Sequence, residues 1–249
     1  MKHLLARTTA VAVMAIASCY PAGIAALDVR LTDYLAYVEV EHQGEMVRVQ
    51  RIQNQDNTLT DGFAKTSRKC PPFCIQPMQV APGVETVGEA EIFRFMDREM
   101  TGGEGVIVDA RTPSWHSKGT IPGSVNIPFT VFEKGIDEPE LVEALKALGG
   151  QPRGEVGGMT RSLESVMATM DLFDAGMKTD DWDFSEAMDV VFWCNGPWCG
   201  QSPRAIRALL VHGYPAEKIH YYRGGMQMWK ILGLTVVVPE AGEKSVAMK

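Results

Sequence analysis

The chain has 249 residues, 45% of them hydrophobic and 22% charged, which is the balance of an ordinary globular protein with enough length for a real core. The formal net charge is −7 and no run of Lys and Arg stands out, so a basic nucleic-acid footprint is excluded and an anionic membrane surface would repel the body of the protein. A local nest of backbone N–H groups can still hold a small anion, because net charge does not decide that.

Residues 1–26 read as an export leader. Lys2, His3 and Arg7 flank the start of an apolar stretch, Thr8 to Ala17, that is too short to span a bilayer. Two processing points compete. Ile16-Ala17-Ser18-Cys19 resembles a bacterial lipobox and would leave a lipidated Cys19, the one route by which this protein meets a membrane. Gly23-Ile24-Ala25-Ala26 suits an ordinary signal peptidase and would release a soluble protein. Either way the expected location is the periplasm. Export leaves Cys70, Cys74, Cys194 and Cys199 as two close pairs in an oxidising compartment.

Residues 27–80 read as a small β-rich region. Tyr37 to His42 alternates apolar and polar side chains, Gln43-Gly44 supplies a turn, and Met46 to Ile52 alternates again, which predicts a hairpin. Asn54 to Gly62 is loop-like, and Pro71, Pro72 and Pro77 rule out a helix around Cys70 and Cys74. That pair reads as a loop-stapling disulfide rather than a metal site, since no His lies near it in sequence.

A second organisation, residues 81–240, follows. Thr86 with Glu89 makes a capping box for a short helix whose buried stripe is Ile92, Phe93, Phe95 and Met96. Val106-Ile107-Val108 ends at Asp109 and suits a buried parallel strand, and Glu138 to Leu148 reads as a helix closed by Gly149-Gly150. Gln151 to Asp181 is the least defined stretch, with helical spacing at Leu163, Val166, Met167 and Met170. The apolar strand Val190 to Trp193 delivers Cys194 at its carboxyl end. Ser202-Pro203 then predicts a helix start, Ile219 to Tyr222 a further strand, and Gly224-Gly225 a last helix with Trp229 on its inner face. Strands alternating with helices predict an α/β fold, a central parallel sheet flanked by helices, with ligands at the carboxyl ends of strands. Residues 241–249 are a tail.

Val106 to Arg111, followed by Lys118-Gly119-Thr120-Ile121-Pro122-Gly123-Ser124, resembles the first signature of the rhodanese family, a strand ending in Asp-x-Arg that leads to a Gly-His-Ile-Pro-Gly-Ala loop. Val190 to Cys194, then Gly213-Tyr214, then Arg223-Gly224-Gly225 and the Trp229 helix, resembles the second half of that domain in the same order. The resemblance implies sulfur transfer. A cysteine thiolate takes sulfane sulfur from a small anionic donor such as thiosulfate, becomes a persulfide and hands the sulfur to a thiol or another nucleophile. It also implies structural roles for Asp109 and Arg111 beneath the site, with Arg111 a candidate to attract the anion.

The loop is Cys194-Asn195-Gly196-Pro197-Trp198-Cys199-Gly200-Gln201-Ser202, with Arg204 just beyond it. Between a strand end and a helix N-terminus such a segment turns N–H groups inward and meets the positive end of the helix dipole, which lowers a thiol pKa. Asn195, Gly196, Trp198, Gly200, Gln201, Ser202 and Arg204 are therefore the candidate anion-binding set. The loop departs from the family pattern: it is about two residues longer, carries Pro197, which has no N–H, and has no Arg inside it. Strand position favours Cys194 as the nucleophile, while proximity to the helix favours Cys199. The absence of an Arg close behind Cys194 argues against the phosphatase relatives of the fold.

Blander readings stand beside these. Cys194 and Cys199 can form a structural or redox disulfide, Trp198 either walls a pocket or covers a core edge, His116 reads as a surface residue, and the fourteen Met residues read as core filler. The expectation is a periplasmic sulfurtransferase working through Cys194, with Cys199 as alternative nucleophile or resolving thiol. The competing expectations are a thiol–disulfide redox protein and a non-catalytic binding module. No feature calls for a metal or an organic cofactor.

Overall fold

The computed structural model describes residues 28–154 and 179–239, with Thr160, Ser162, Val166 and Met167 between them. The leader with Cys19 and both processing points, Leu163, Met170 and the tail lie outside the described residues. Five strands form one sheet in the order β3 (Glu85–Val87), β9 (Ile219–Tyr222), β8 (Asp189–Trp193), β4 (Gly105–Asp109), β5 (Ser124–Asn126), every neighbouring pair parallel. Central strands β8 and β4 are apolar throughout their middles because both faces of the sheet are covered.

Alternation along the strands sorts side chains between two cores. Val106, Val108, Val190, Phe192 and Tyr221 pack with α3 (Phe129–Phe132), α4 (Pro139–Ala147) and α5 (Gln201–Val211). Ile107, Val191, Trp193 and Tyr222 face the other way, against α1 (Glu89–Phe95) and Trp229 of α6 (Gly225–Ile231). The same core takes in Val38, Val40 and Val49 of the hairpin β1 (Tyr37–His42) and β2 (Glu45–Gln50), so the hairpin buries its apolar face on the sheet domain rather than in a core of its own. Fully burying a side chain of this kind stabilises by about 1.5–3 kcal/mol. Among the described residues the smaller elements include the one-turn helix α2 (Pro113–His116), the two-residue pair β6 (Gln151–Pro152) and β7 (Trp182–Asp183), and short helical turns at Asp61–Ala64, Met96–Met100 and Ala216–Lys218.

Two helix starts differ from the sequence-based expectation. Thr86 lies in β3, and the cap of α1 is Gly88, whose N–H donates to Glu91 Oε2 at 3.1 Å. Strand pairing with β9 claims the Thr86 backbone first. Helix α5 begins at Gln201 with Gly200 as its N-cap, which moves Ser202 into the first turn. The hydroxyl that sequence spacing assigns to capping is used elsewhere.

Candidate functional site

Cys194 follows β8 directly and its loop runs to Gly200. The loop is anchored from behind by α6: Met226 N–H donates to Cys194 O at 3.0 Å and Gln227 N–H to Asn195 O at 3.0 Å. Two glycines make that approach possible. A Cβ on Gly225, which sits at φ +52°, would lie 2.2 Å from Cys194 O, and one on Gly196, at φ +147°, would lie 2.7 Å from the Gln227 Cβ.

Cys194 and Cys199 are both free thiols, 2% and 5% exposed. Ser202 Oγ donates to Cys194 Sγ at 3.0 Å, and the neutral Cys194 thiol reaches Cys199 O at 3.2 Å. Burial by itself would raise the Cys194 pKa. The Cys199 thiol, the Ser202 hydroxyl and the backbone N–H groups of Ser202 and Gly196 all donate toward its sulfur and override that, lowering it from 9.0 to about 7. Cys199 goes the other way: burial, the hydrogen bond it gives to Cys194 and the charge developing there push its thiol up, against the N–H groups of Gln201 and Asn195. One sulfur of the pair is thereby marked for the anion and the other for the proton. Cys199 also lies 3.6 Å from Gln201 Oε1 and 3.9 Å from Asn195 Nδ2.

Beneath the loop sits a buried ionic network. Arg111 donates to both carboxylate oxygens of Asp109, at 2.8 and 2.6 Å, and to Gly119 O at 2.7 Å, and its guanidinium lies 4.4 Å from the Trp193 ring centre. Asp109 also accepts from Thr120 Oγ1 at 3.0 Å and pairs with His116 Nδ1 at 2.9 Å. Burial would raise the Asp109 carboxyl, but Arg111 and then His116 hold it below the ordinary carboxylate range. Arg111 is 1% exposed and reaches the loop at Asn195 Oδ1, at 3.5 Å. The structure therefore places Arg111 as a support that orders Asn195, and not as a group presented to an incoming anion.

Arg204 is likewise not brought to the thiols. Its guanidinium is held by Glu133, with both bonds at 2.6 Å, and lies over the Phe129 ring. His116, expected at the surface, is drawn in by Asp109.

The outer side of the loop is roofed by residues 61–76. Trp198 is the centre of the contact: the Arg68 guanidinium lies 3.8 Å from its ring centre, Phe73 meets it edge-on at 5.6 Å and Phe63 lies at 6.5 Å. Gln76 N–H donates to Pro197 O at 2.8 Å, and its carbonyl accepts from Arg223 Nε and Nη2 at 3.1 and 2.9 Å. Gln227 Nε2 donates to Phe63 O at 2.8 Å. Cys70 and Cys74, with sulfurs at bonding distance and Cα atoms 4.7 Å apart, close the bend that carries Phe73. Trp198 thus covers the edge of the core that holds Trp193 and Met226 while the roof closes over its other side, and the 70/74 pair belongs to the roof. Sequence reasoning missed this roof and also Tyr221, a fully buried phenol that senses both thiols electrostatically and whose hydroxyl has no hydrogen-bond partner among the described residues. Nothing in the local pattern of Ile219 to Tyr222 distinguishes Tyr221 from core.

A cleft lined by Glu85, Arg94, Asp189 and His220 opens at the amino ends of β3, β8 and β9, the edge opposite Cys194. Among the described residues no three His, Cys, Asp or Glu side chains are gathered to hold a metal ion.

Solved structures similar to the chain include a human single-domain sulfurtransferase (19% identity, covering 59% of this chain and 96% of that one, TM-score 0.33). A thiosulfate sulfurtransferase from Pseudomonas aeruginosa matches at 16% identity over 62% of this chain and 20% of its own, TM-score 0.35. A protein of unknown function from Rhodopseudomonas palustris, described as a possible tyrosine phosphatase, matches at 16% identity over 74% of this chain and 100% of its own, TM-score 0.37. At such identities and scores these likenesses carry no weight for what the site does. No relative was found among curated proteins. A family model, Rhodanese-like domain, matches residues 95–232, more than half of the 249. The chain belongs to the family of rhodanese-like domains.

Proposed function

We propose that this protein is a sulfurtransferase whose nucleophile is Cys194. The Cys194 thiolate attacks the sulfane sulfur of a small anionic donor of the thiosulfate type. The donor's S–S bond breaks, sulfite leaves with the electron pair, and Cys194 carries the sulfur as a persulfide. Family membership supports the reaction class, and one observation carries the choice of residue. The Ser202 hydroxyl donates to Cys194 Sγ at 3.0 Å and the surrounding donors hold that thiol below its ordinary value, whereas Cys199 is pushed toward its protonated form.

The same donors serve a persulfide, which is anionic and needs the charge stabilisation a thiolate does. Among the described residues, the two candidate guanidiniums, Arg111 and Arg204, are both engaged with carboxylates, so the anionic donor is held by hydrogen-bond donors of the loop and not by either of these two guanidiniums. We place this chemistry in the periplasm on the strength of the leader. A thiol there must be protected from oxidants, and the roof of residues 61–76 is suited to that.

The test is a sulfite burst. Reduced protein mixed with thiosulfate releases close to one equivalent of sulfite per chain, Cys194→Ser releases none, and Cys199→Ser still does. A burst that survives in Cys194→Ser and disappears in Cys199→Ser contradicts the assignment.

A further inference from the structure

We infer that Cys199 is a built-in resolving thiol, so that the sulfur taken by Cys194 leaves as hydrosulfide rather than by transfer to a second substrate. The inference rests on the sulfurtransferase reading and specifies how that reaction ends. Three observations carry it. Cys194 Sγ lies 3.2 Å from the carbonyl oxygen of Cys199, so the residue that carries the second thiol is already packed against the reacting atom. Neither sulfur is open to solvent, at 2% and 5% exposure, and Trp198 beside them is clamped by Arg68 and Phe73 while Gln76 is bonded to Pro197. A persulfide formed here therefore meets Cys199 before it meets any acceptor from outside. Finally, Cys199 is oriented by its own contacts, N–H to Gly196 O at 2.9 Å, Asn195 Nδ2 toward its sulfur and its thiol toward Gln201 Oε1. Asn195 is in turn tied to the Asp109–Arg111 network through Arg111. A cysteine that merely filled space would need none of these.

The step balances as follows. Cys199 Sγ attacks Cys194 Sγ, the bond between Cys194 Sγ and the outer sulfur breaks, and a Cys194–Cys199 disulfide forms. The outer sulfur departs with the bonding electron pair and the proton given up by Cys199, as hydrosulfide. The two cysteines are oxidised by two electrons in all, and the sulfane sulfur is reduced by two. A further cycle requires a dithiol reductant, protein or small molecule, that opens the disulfide by thiol exchange. The net reaction is then reduction of a sulfane sulfur donor to sulfide at the expense of a dithiol.

The experiment uses the full chain with Cys194 and Cys199 reduced, thiosulfate as the only added sulfur compound and no external thiol. Sulfite, sulfide and intact mass are followed together. Wild type is expected to release sulfide in step with sulfite and to end lighter by two hydrogens with no added sulfur. Cys199→Ser, with Cys199→Ala as a second variant, is expected to release sulfite but to keep one added sulfur atom, with sulfide appearing at least about tenfold more slowly because the intramolecular advantage is gone. Wild type that retains the sulfur as long as the Cys199 variants do overturns the inference while leaving the sulfurtransferase reading intact. Absence of sulfite from wild type as well as from both variants overturns the reading itself.

Discussion

The cysteine loop is held on two sides by parts of the chain that differ in kind. Its inner side rests on α6 and on the Asp109–Arg111–Asn195 chain of charged and polar contacts, all within the stretch that matches the rhodanese-like family. Its outer side is covered by residues 61–76, which lie before that stretch and are attached by two cation–π contacts (Arg68 on Trp198, Lys230 on Phe63), the exposed Lys230–Asp61 ion pair, aromatic edges and a few hydrogen bonds to main-chain groups. The inner side fixes where the sulfur of Cys194 is and which N–H groups point at it. The outer side decides what can reach that sulfur. Positioning is built from buried charge, which is costly to break, and access from half-exposed contacts, which are cheap to open.

That difference predicts a graded set of effects. The largest falls on the inner side: Asp109→Asn leaves Arg111 buried without its carboxylate and is expected to lower stability by about 3–5 kcal/mol in urea unfolding. A loss below about 1 kcal/mol would mean that the network is not what holds the loop. Next comes the thiol environment itself. Ser202→Ala removes a hydrogen bond to a charged sulfur and is expected to raise the ionisation midpoint of Cys194 by about one pH unit, with an unfolding loss of about 1.4 kcal/mol above pH of about 9 that fades as pH falls through about 7.

On the outer side, Trp198→Ala takes away the surface that Arg68 and Phe73 grip, contacts worth about 1 kcal/mol. It should raise the alkylation rate of Cys194 about fivefold while the ionisation midpoint stays put. An unchanged alkylation rate would show that residues 61–76 do not control access. The smallest effect is expected for Arg204→Ala, less than about 1 kcal/mol in stability and none on thiol ionisation, because its partner is the half-exposed Glu133.

Legibility in the sequence divides along the same line. Strand β8 and the emergence of Cys194 from it follow from four apolar residues in a row, Val190 to Trp193, since only a strand covered on both faces is written that way. The run Val106-Ile107-Val108 marks a second buried strand for the same reason, and the roles of Asp109 and Arg111 at its end come from the resemblance to the rhodanese signature. What local pattern misreads is the use of a side chain that has two possible jobs. Ser202 before Pro203 carries the signature of an N-cap, but Gly200 takes the cap and leaves the Ser202 hydroxyl for Cys194. His116 looks like a solitary surface residue until the fold brings Asp109 to it. The roof is invisible for a deeper reason. Arg68 and Phe73 meet Trp198 across more than a hundred residues of chain, in an irregular segment with no periodicity to betray a buried face. For the ionising thiol, strand position favours Cys194 and helix proximity favours Cys199, and the donors gathered at Cys194 support the strand-based expectation.

The claim on which the rest depends is that donors gathered at Cys194, and not at Cys199, stabilise a thiolate. Folding lowers that thiol from 9.0 to about 7, so the thiolate fraction climbs through pH of about 7, and the stability it contributes is full above pH of about 9 and lost as pH falls through about 7. The most direct measurement is a pH titration of ultraviolet thiolate absorbance in the full chain and in the two single cysteine variants. The account predicts a one-thiol step centred near pH 7 in wild type that is absent from Cys194→Ser. A step near pH 7 that persists in Cys194→Ser and vanishes in Cys199→Ser would contradict it.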